Sequence, residues 1–281
     1  MITHVSGVRR GAAVLGSPIA HSLSPVLHRA AYDALGLADW TYRAVECTEQ
    51  QLADTLRELE AEGLAGASLT MPLKRAVLPL LARTERLAAD VGAANTVLFG
   101  GIDGEWWGAN TDVPGMVEAL RRGGFNRAGS VTVLGGGATA ASTVAAIAEL
   151  GVRDARVVAR RPAAAAAVAE TGERFGVEVD VRPWGEVEAS LAADLVVSTV
   201  PAGAGDSLAA SVPPRPGLLF DVVYAPWPTP LAAAWASAGG TVVGGLELLV
   251  AQAAEQVRLM TGKQAPVDRM RAAGEDALRA Q

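Results

Sequence analysis

Three short motifs in the first half of the chain carry side chains that could do chemistry. Lys74 ends the stretch GASLTMPLK, Asn95 lies in GAANT, and Asp112 ends GANTD. A lone Lys or Asp is usually a solvated surface residue. Each of these residues, however, follows a short apolar run, and ligands of α/β sheets gather beyond the carboxyl ends of the strands. Two interpretations stay open: separate surface residues, or one site assembled from three loops.

A pair of serines precedes the first helical pattern of the chain. In HSLSP, Ser22 and Ser24 are two residues apart, and two hydroxyls at that spacing could hold a carboxylate. The alternative is that Ser24 caps the following helix while Ser22 is only a turn residue. Local sequence alone favours this second interpretation.

Apolar runs alternate with helical patterns, and this alternation predicts a parallel α/β sheet. Helices are expected over residues 24–36 and 49–63, and again from Gly245 onward. A seam near Thr111–Gly115 separates two such series. The predicted strands cover residues 12–16, 41–45, 66–70, 131–134, 156–159, 177–181, 194–199, 218–224 and 241–245.

Composition and charge narrow the classes of partner. The 281 residues are half hydrophobic, which is enough to bury a core, and the length suggests two domains. A net charge of −6 without a sustained basic cluster argues against nucleic acid. The single cysteine, Cys47, excludes an internal disulfide and cannot build a zinc site alone, so we expect no metal. No apolar stretch is long enough for a signal peptide or a membrane span, so we expect a cytoplasmic protein.

The stretch VTVLGGGATAAS (131–142) is typical of a strand, a glycine turn and a helix start. Gly135 permits a tight turn, and Gly137 lacks a side chain where a pyrophosphate would approach. Ala140 stands at the third position of the G-x-G-x-x-G/A fingerprint. The first N–H groups of the helix could bind the phosphates. Because another strand follows at 156–159, the context favours a dinucleotide site over an ordinary glycine loop.

The end of that next strand indicates which dinucleotide binds. An NAD site usually carries Asp or Glu there, which bonds the ribose 2′-hydroxyl. This strand ends in VVARRP, so Arg160 and Arg161 stand there instead of an acid. Two guanidiniums could hold a 2′-phosphate, and NADP is therefore the predicted cofactor. The alternative, which applies to Arg161 more than to Arg160, is an ordinary exposed arginine at a helix start.

With these residues in place, the chain closely resembles the shikimate dehydrogenase family over nearly its whole length. SLTMPLK is similar to the family motif N-V-T-x-P-x-K, and AANTV and GANTD resemble its Asn and Asp motifs. GSPIAHSLSPVLHRAAY resembles the N-terminal substrate motif. FDVVYAPWPTPL resembles D-x-x-Y-x-P-x-x-T-P-L, and GGLELLVAQAAEQ resembles G-x-x-M-L-x-x-Q-A.

The resemblance implies two α/β domains with an active-site cleft between them. Residues 1–113 and 246–281 would form the substrate domain, and residues 114–245 a Rossmann domain that binds NADP(H). The implied reaction is the reversible NADPH-dependent reduction of 3-dehydroshikimate to shikimate in aromatic amino-acid biosynthesis. The implied partner is this small molecule, and the protein would be a monomer or homodimer.

The resemblance also implies roles for single residues. Lys74 and Asp112 would be the catalytic pair, with the Lys74 ammonium stabilising the forming alkoxide and donating its proton. The implied substrate-binding residues are Ser22, Ser24, Thr70, Lys74, Asn95, Asp112, Tyr224 and Gln252. The implied cofactor-binding residues are Gly135, Gly136, Gly137, Ala138, Thr139, Ala140, Arg160, Arg161, Thr199, Val200, Val222 and Gly245.

The chain departs from the family pattern at several positions. Ser68 stands where the family motif has Asn, and Ala138 puts a methyl group at the fourth position of the glycine turn. Arg161 and the Thr199–Val200 segment also differ from the usual cofactor motifs. Two other functions stay open: a quinate/shikimate paralogue with relaxed substrate or cofactor choice, and a non-catalytic NADP-binding sensor on the same fold.

Overall fold

The computed structural model describes residues 10–100, 104–125 and 129–280. The chain divides into two compact units. The first unit comprises the chain up to Thr111 and from Gln252 onward, and the second runs from Asp112 to Ala251. Each unit has its own six-stranded sheet. The predicted α/β class is therefore confirmed.

The sheet of the first unit is mixed. Its strands are β1 (Gly11–Gly16), β2 (Thr41–Glu46), β3 (Gly66–Leu69), β4 (Arg83–Thr84), β5 (Thr96–Leu98) and β6 (Trp107–Ala109), in the order β2-β1-β3-β5-β6-β4. Strand β1 pairs in parallel with β2 and β3, whereas β5 is antiparallel to both β3 and β6. The expectation of parallel pairing is therefore confirmed for the three strands predicted in this unit, β1, β2 and β3. The antiparallel β5 was missed, because it is too short to show a pattern in the sequence.

The helices of the first unit bury apolar side chains in its core. They are α1 (Ser24–Ala34), α2 (Leu52–Ala61), α3 (Leu73–Ala76), α4 (Arg86–Val91), α11 (Val267–Arg279) and the part of α10 (Gly245–Thr261) from Gln252 onward. On α2, Leu52, Leu56 and Leu59 recur at helical spacing and are fully buried. They pack with Leu15 of β1 and Leu69 of β3 in one core cluster. This core supports the strand ends from which the candidate site residues emerge.

The sheet of the second unit is wholly parallel. Its strands are β7 (Val131–Leu134), β8 (Asp154–Ala159), β9 (Glu178–Pro183), β10 (Leu195–Ser198), β11 (Leu218–Asp221) and β12 (Thr241–Gly244). Their order across the sheet is β9-β8-β7-β10-β11-β12, with parallel pairing throughout. This is the 3-2-1-4-5-6 order of dinucleotide-binding domains, in which the ligand crosses the switch between the two central strands, here β7 and β10. The predicted Rossmann unit is confirmed.

Helices precede, connect and follow the parallel strands of the second unit. They are α5 (Asp112–Arg122), α6 (Ala138–Glu149), α7 (Ala166–Phe175), α8 (Val187–Ser190), α9 (Pro230–Ser237) and the first residues of α10. Trp235 of α9 is fully buried, and its indole N–H donates to the carbonyl of Gly217 at 3.0 Å.

Along the described residues of both units, no helix combines the length and the apolar character that crossing a membrane requires.

Candidate active site

Lys74 lies on α3, directly after the loop that follows β3. The backbone N–H of Thr70 in this loop donates to the carbonyl of Leu15 at 2.9 Å, which ties the loop to the end of β1. The carbonyl of Lys74 itself accepts the N–H of Ala94 at 2.8 Å. These bonds place the ends of β1 and β3 and the segment before β5 side by side. The Lys74 side chain is half-buried at this place.

Asn95 is fully buried, and hydrogen bonds hold both ends of its amide. Its Oδ1 accepts the backbone N–H of Thr111 at 2.8 Å and the hydroxyl of Thr96 at 3.0 Å. Its Nδ2 donates to Thr111 Oγ1 at 3.0 Å and to Gln252 Oε1 at 2.9 Å. The structure thus brings Asn95 and Gln252 into contact, although 157 positions separate them. Thr111, which the sequence reasoning did not single out, lies in the GANTD motif.

A second buried cluster lies beside Asn95 and was also missed from the sequence. The Tyr42 hydroxyl donates to Ser68 Oγ at 2.7 Å, and Ser68 donates to Gln256 Oε1 at 2.9 Å. Gln256 Nε2 donates to Thr96 Oγ1 at 3.2 Å and to the carbonyl of Asn95 at 3.4 Å. Only the departure of Ser68 from the family motif pointed to this place, and nothing in the sequence pointed to Gln256.

Neither serine of HSLSP is the N-cap of α1. Helix α1 begins at Ser24 itself, and its N-cap residue, Leu23, makes no side-chain capping bond. The assignment of Ser24 as N-cap is therefore wrong, because a cap precedes the first helical residue. Instead, the half-buried Ser22 accepts the backbone N–H of Ser24 at 3.3 Å. The Ser24 hydroxyl belongs to the first turn of the helix and is free of the capping role that competed with a binding role.

Asp112 is the first residue of α5, and only 1% of it is exposed. A carboxylate at this position is stabilised by the positive end of the helix dipole. Asp112 belongs to the second unit, whereas Lys74 and Asn95 belong to the first. Asp112 thus lies at the residue where the chain passes from the first unit to the second.

The glycine turn between β7 and α6 has the geometry that the fingerprint requires. Gly135 has a φ of +118°, and a Cβ atom there would lie 2.3 Å from Thr199 Oγ1. Gly137 is the N-cap of α6 and has extended backbone, and a Cβ there would meet nothing within 4 Å. Ala140 of α6 is fully buried. The turn therefore leaves open space beside Gly137, next to the first residues of α6, Ala138 and Thr139.

Arg160 and Arg161 follow directly after the end of β8, and both side chains are exposed. Among the described residues, neither of the two forms an ion pair. Other surface arginines of the same sheet do so, since Arg156 and Arg182 both pair with Asp180. The two guanidiniums are therefore available to an anion at this strand end.

The residues that follow β10, β11 and β12 lie at the same edge of this parallel sheet as the glycine turn. The Thr199 hydroxyl donates to the carbonyl of Leu134 at 2.8 Å, so this side chain braces the glycine turn. Val200 after it is mostly buried. A Cβ at Gly245 would lie 2.0 Å from the carbonyl of Val222. Only glycine lets the start of α10 approach the segment after β11 this closely.

Tyr224 lies in a segment whose two ends are clamped together. Asp221, at the end of β11, accepts the N–H of Val223 at 3.2 Å and the hydroxyl of Thr229 at 2.8 Å. The same Thr229 hydroxyl accepts the N–H of Ala232 at 3.1 Å and caps α9. Burial raises the pKa of the Asp221 carboxyl above its ordinary value, and these hydrogen bonds offset only part of the rise. The bonds explain why both Asp and Thr occur in the D-x-x-Y-x-P-x-x-T-P-L pattern.

Comparison with known proteins places this arrangement in a family. A family described as Shikimate dehydrogenase substrate binding domain matches residues 14–97, and one described as Shikimate 5'-dehydrogenase C-terminal domain matches residues 245–273. A curated shikimate dehydrogenase (NADP(+)) of Synechococcus sp. (strain JA-3-3Ab) is 36% identical over 99% of this chain and 97% of its own length. The chain belongs to the shikimate dehydrogenase family.

Solved structures of shikimate dehydrogenases have the same fold. The Mycobacterium tuberculosis shikimate dehydrogenase is 41% identical, with a TM-score of 0.86 over 95% of this chain and 99% of its own. The Thermus thermophilus shikimate 5-dehydrogenase, crystallised in complex with NADP(H) and shikimate, is 34% identical, with a TM-score of 0.83 over 96% of this chain and 100% of its own. The family resemblance read from the motifs is confirmed.

The matched segments contain much of the candidate site of this shikimate dehydrogenase family member. The first segment includes Ser22, Lys74 and Asn95, and the second includes Gln252. Asn95 and Gln252 are the pair that the structure joins directly. No group of three or more His, Cys, Asp or Glu side chains among the described residues could hold a metal ion.

Proposed function

We propose that this protein catalyses the reversible NADPH-dependent reduction of 3-dehydroshikimate to shikimate, a step of the pathway to chorismate and the aromatic amino acids. The observation that carries the proposal is that a chain of the shikimate dehydrogenase family has Lys74, Asn95 and Asp112 at the motif positions. The Thermus thermophilus relative crystallised with NADP(H) and shikimate supports both ligands. The protein is accordingly an NADP-dependent oxidoreductase that acts on a CH–OH group.

We assign one ligand to each part of the chain. Residues 1–113 with 246–281 would bind shikimate, and residues 114–245 would bind NADP(H). This division is supported by the hydrogen-bonded Asn95 and Gln252 in the first unit and by the parallel sheet with its glycine turn in the second.

The buried thiol of Cys47 suits a reducing, cytoplasmic setting, since burial raises its pKa. The monomeric or homodimeric state stays a prediction.

The residues of the second unit fit NADP(H). The open space at Gly137 and the start of α6 fit a pyrophosphate, because backbone N–H groups at a helix N-terminus bind anions. Arg160 and Arg161 fit the 2′-phosphate that distinguishes NADP from NAD. The segment from Thr199 to Val200 and the close approach of Gly245 to Val222 would line the nicotinamide end. When bound, NADPH supplies the hydride.

Lys74 holds the proton that the reduction consumes. An ammonium beside the carbonyl oxygen stabilises the alkoxide that forms and then donates a proton to it. Asp112, buried at the N-terminus of α5, would orient this ammonium and accept a substrate hydroxyl. The two residues therefore divide the chemistry between proton transfer and orientation.

The remaining residues would hold the substrate. Ser22 and Ser24 would bind its carboxylate with help from Tyr224, and Ser24 has no capping role that would prevent this. Thr70, Asn95 and Gln252 would bind the ring hydroxyls. Because Asn95 and Gln252 are hydrogen-bonded to each other, the site is organised before the substrate arrives.

Steady-state kinetics with a panel of substrates and cofactors tests the proposal. Shikimate and quinate are each assayed with NADP+ and with NAD+. We expect the highest kcat/KM for shikimate with NADP+. A higher kcat/KM for quinate would indicate the paralogue, and NADP+ binding without turnover of shikimate would indicate a sensor.

A further inference from the structure

The polarity of the buried cluster beside Asn95 is set by backbone groups that cannot reverse their roles. The N–H of Thr111 can only donate, so Asn95 must turn Oδ1 toward it, at 2.8 Å. The carbonyl of Asn95 can only accept, so Gln256 must turn Nε2 toward it, at 3.4 Å. Both side-chain amides are therefore oriented by the fold rather than by a ligand.

The orientation of the Asn95 amide determines how Gln252 faces. Because Asn95 turns its Oδ1 toward Thr111, its Nδ2 points to Gln252 and donates to Gln252 Oε1 at 2.9 Å. The other end of the Gln252 amide, Nε2, is then left to donate elsewhere. Gln252 is only half-buried, unlike Asn95. It would present an N–H donor to an oxygen atom of the ligand.

Gln256 lies one helical turn after Gln252 on α10, and residues at this spacing share a helix face. It is 3% exposed, and both ends of its amide are bonded. Its Oε1 accepts from Ser68, and its Nε2 donates to Thr96 Oγ1. Thr96 in turn donates to Asn95 Oδ1 at 3.0 Å. Gln256 thus bonds both Asn95 itself and the hydroxyl that supports the Asn95 amide.

We propose that Gln256, supported by Ser68, is a positioning residue that holds Asn95 and Gln252 in the orientation that binds the substrate hydroxyls. Gln256 acts through Asn95 and does not touch the substrate. Ser68 belongs to the same hydrogen-bonded cluster, since its buried hydroxyl accepts from Tyr42 and donates to Gln256. The proposal rests on the proposed function, because it assigns the substrate to Asn95 and Gln252.

The variant Gln256→Met tests this role, since Met has a similar size and cannot form the hydrogen bonds. We expect the KM for shikimate to rise by about tenfold or more, because a lost hydrogen bond in a binding site costs about that factor. The kcat and the KM for NADP+ should stay within about twofold, since the hydrogen bonds of Gln256 lead to Asn95 and its neighbours in the first unit. A KM for shikimate that stays at the wild-type value in a folded variant would overturn the proposal.

The matched control is Tyr42→Phe, which removes a hydrogen bond at the far end of the same cluster. Ser68 can still donate to Gln256 in this variant, so we expect a loss of stability without a change in the KM for shikimate. If both variants raise this KM equally, the cluster is merely part of the core and the positioning role is wrong. If Gln256→Met does not fold, Ser68→Ala replaces it. A KM for shikimate raised by about threefold or more would then support the role, and an unchanged KM would contradict it.

Wild-type kinetics separates this test from the test of the function. If the wild-type protein does not turn over shikimate, the proposed function fails, and with it the assignment of the substrate to Asn95. If the wild-type protein is active and Gln256→Met binds shikimate normally in a calorimetric titration, only the positioning role fails.

Discussion

The hydroxyl of Thr229 donates a 2.8 Å hydrogen bond to the carboxylate of Asp221, and this bond closes the segment that carries Tyr224. Asp221 ends β11 and Thr229 caps α9, so one pair of side chains joins a strand end to a helix start. The segment between them is held at its base, although it lies outside the regular elements. A loop fixed in this way can present a tyrosine without support from a ligand.

Replacing Thr229 by Val should destabilise this segment. The change removes both the bond to Asp221 and the side-chain cap of α9, which are together worth about 1–3 kcal/mol. Urea unfolding measures the loss. Thr229→Ser is the control, because it keeps the hydroxyl and should lose less than about 1 kcal/mol. Equal stability of the two variants would show that the bond does not hold the segment.

Stability should fall at mildly acidic pH because of His28. This residue is fully buried, its Nδ1 donates to the carbonyl of Ser24 at 2.9 Å, and its ring stacks on Tyr42. Burial lowers the pKa of His28 from 6.5 to about 4, so the unfolded chain binds the proton more tightly. The free energy of unfolding is therefore unaffected by the titration of His28 above pH 6.5. It decreases as the pH falls toward 4, by roughly 3 kcal/mol at most.

Urea unfolding of the wild type and of His28→Phe over this pH range checks the prediction. Phe keeps the stack on Tyr42 but cannot take up a proton. We expect the wild type to lose stability relative to His28→Phe as the pH falls. A difference between the two proteins that does not vary with pH would mean that His28 does not titrate in this range.

Lys74→Ala should lower kcat by about a hundredfold or more, because the variant lacks the group that donates the proton. The KM for shikimate should stay within a few-fold, since the other contacts remain. The other lysine of the chain, Lys263, is exposed between α10 and α11, and Lys263→Ala serves as the control with wild-type kcat. A near-normal kcat for Lys74→Ala would remove Lys74 from the mechanism.

Arg160→Ala should weaken the binding of NADPH by about tenfold or more and that of NADH much less. The guanidinium gains charged hydrogen bonds only where a 2′-phosphate is present. Fluorescence titration with each cofactor measures the two dissociation constants. Arg174→Ala, which removes an exposed arginine of α7 that pairs with Glu170, should change neither constant. An equal loss for NADPH and NADH would exclude the 2′-phosphate role of Arg160.

Two glycines of the same turn should respond differently to Ala. Gly135→Ala should destabilise the protein by more than about 1 kcal/mol, because φ is +118° and the new methyl group would meet Thr199 Oγ1. Gly137 has an ordinary backbone conformation and open space around it, so Gly137→Ala should leave the stability unchanged. The affinity for NADPH should fall, because the new methyl group would occupy the space proposed for the pyrophosphate. Thermal unfolding and cofactor titration of both variants separate the two effects. Normal NADPH binding by Gly137→Ala would place the pyrophosphate elsewhere.

The sequence by itself determined the elements with strong local signals. The buried strand β7, the turn at Gly135 and the start of α6 follow from a short run of residues, because apolar periodicity and the conformational freedom of glycine act locally. The same holds for α2, whose leucines recur at helical spacing. The ordered motifs also identified the family, and they predict its site residues, including Lys74 and Asn95.

Only the tertiary structure decided which of these residues meet. The antiparallel pairing of β5 depends on β3 and β6, and the three residues of β5 are too few to show a strand pattern in the sequence. The bonds of Asn95 to Gln252 and of Ser68 to Gln256 span 157 and 188 positions, respectively. A buried polar side chain must find a partner, and which partner it finds is set by the folded chain as a whole and not by its neighbours in sequence.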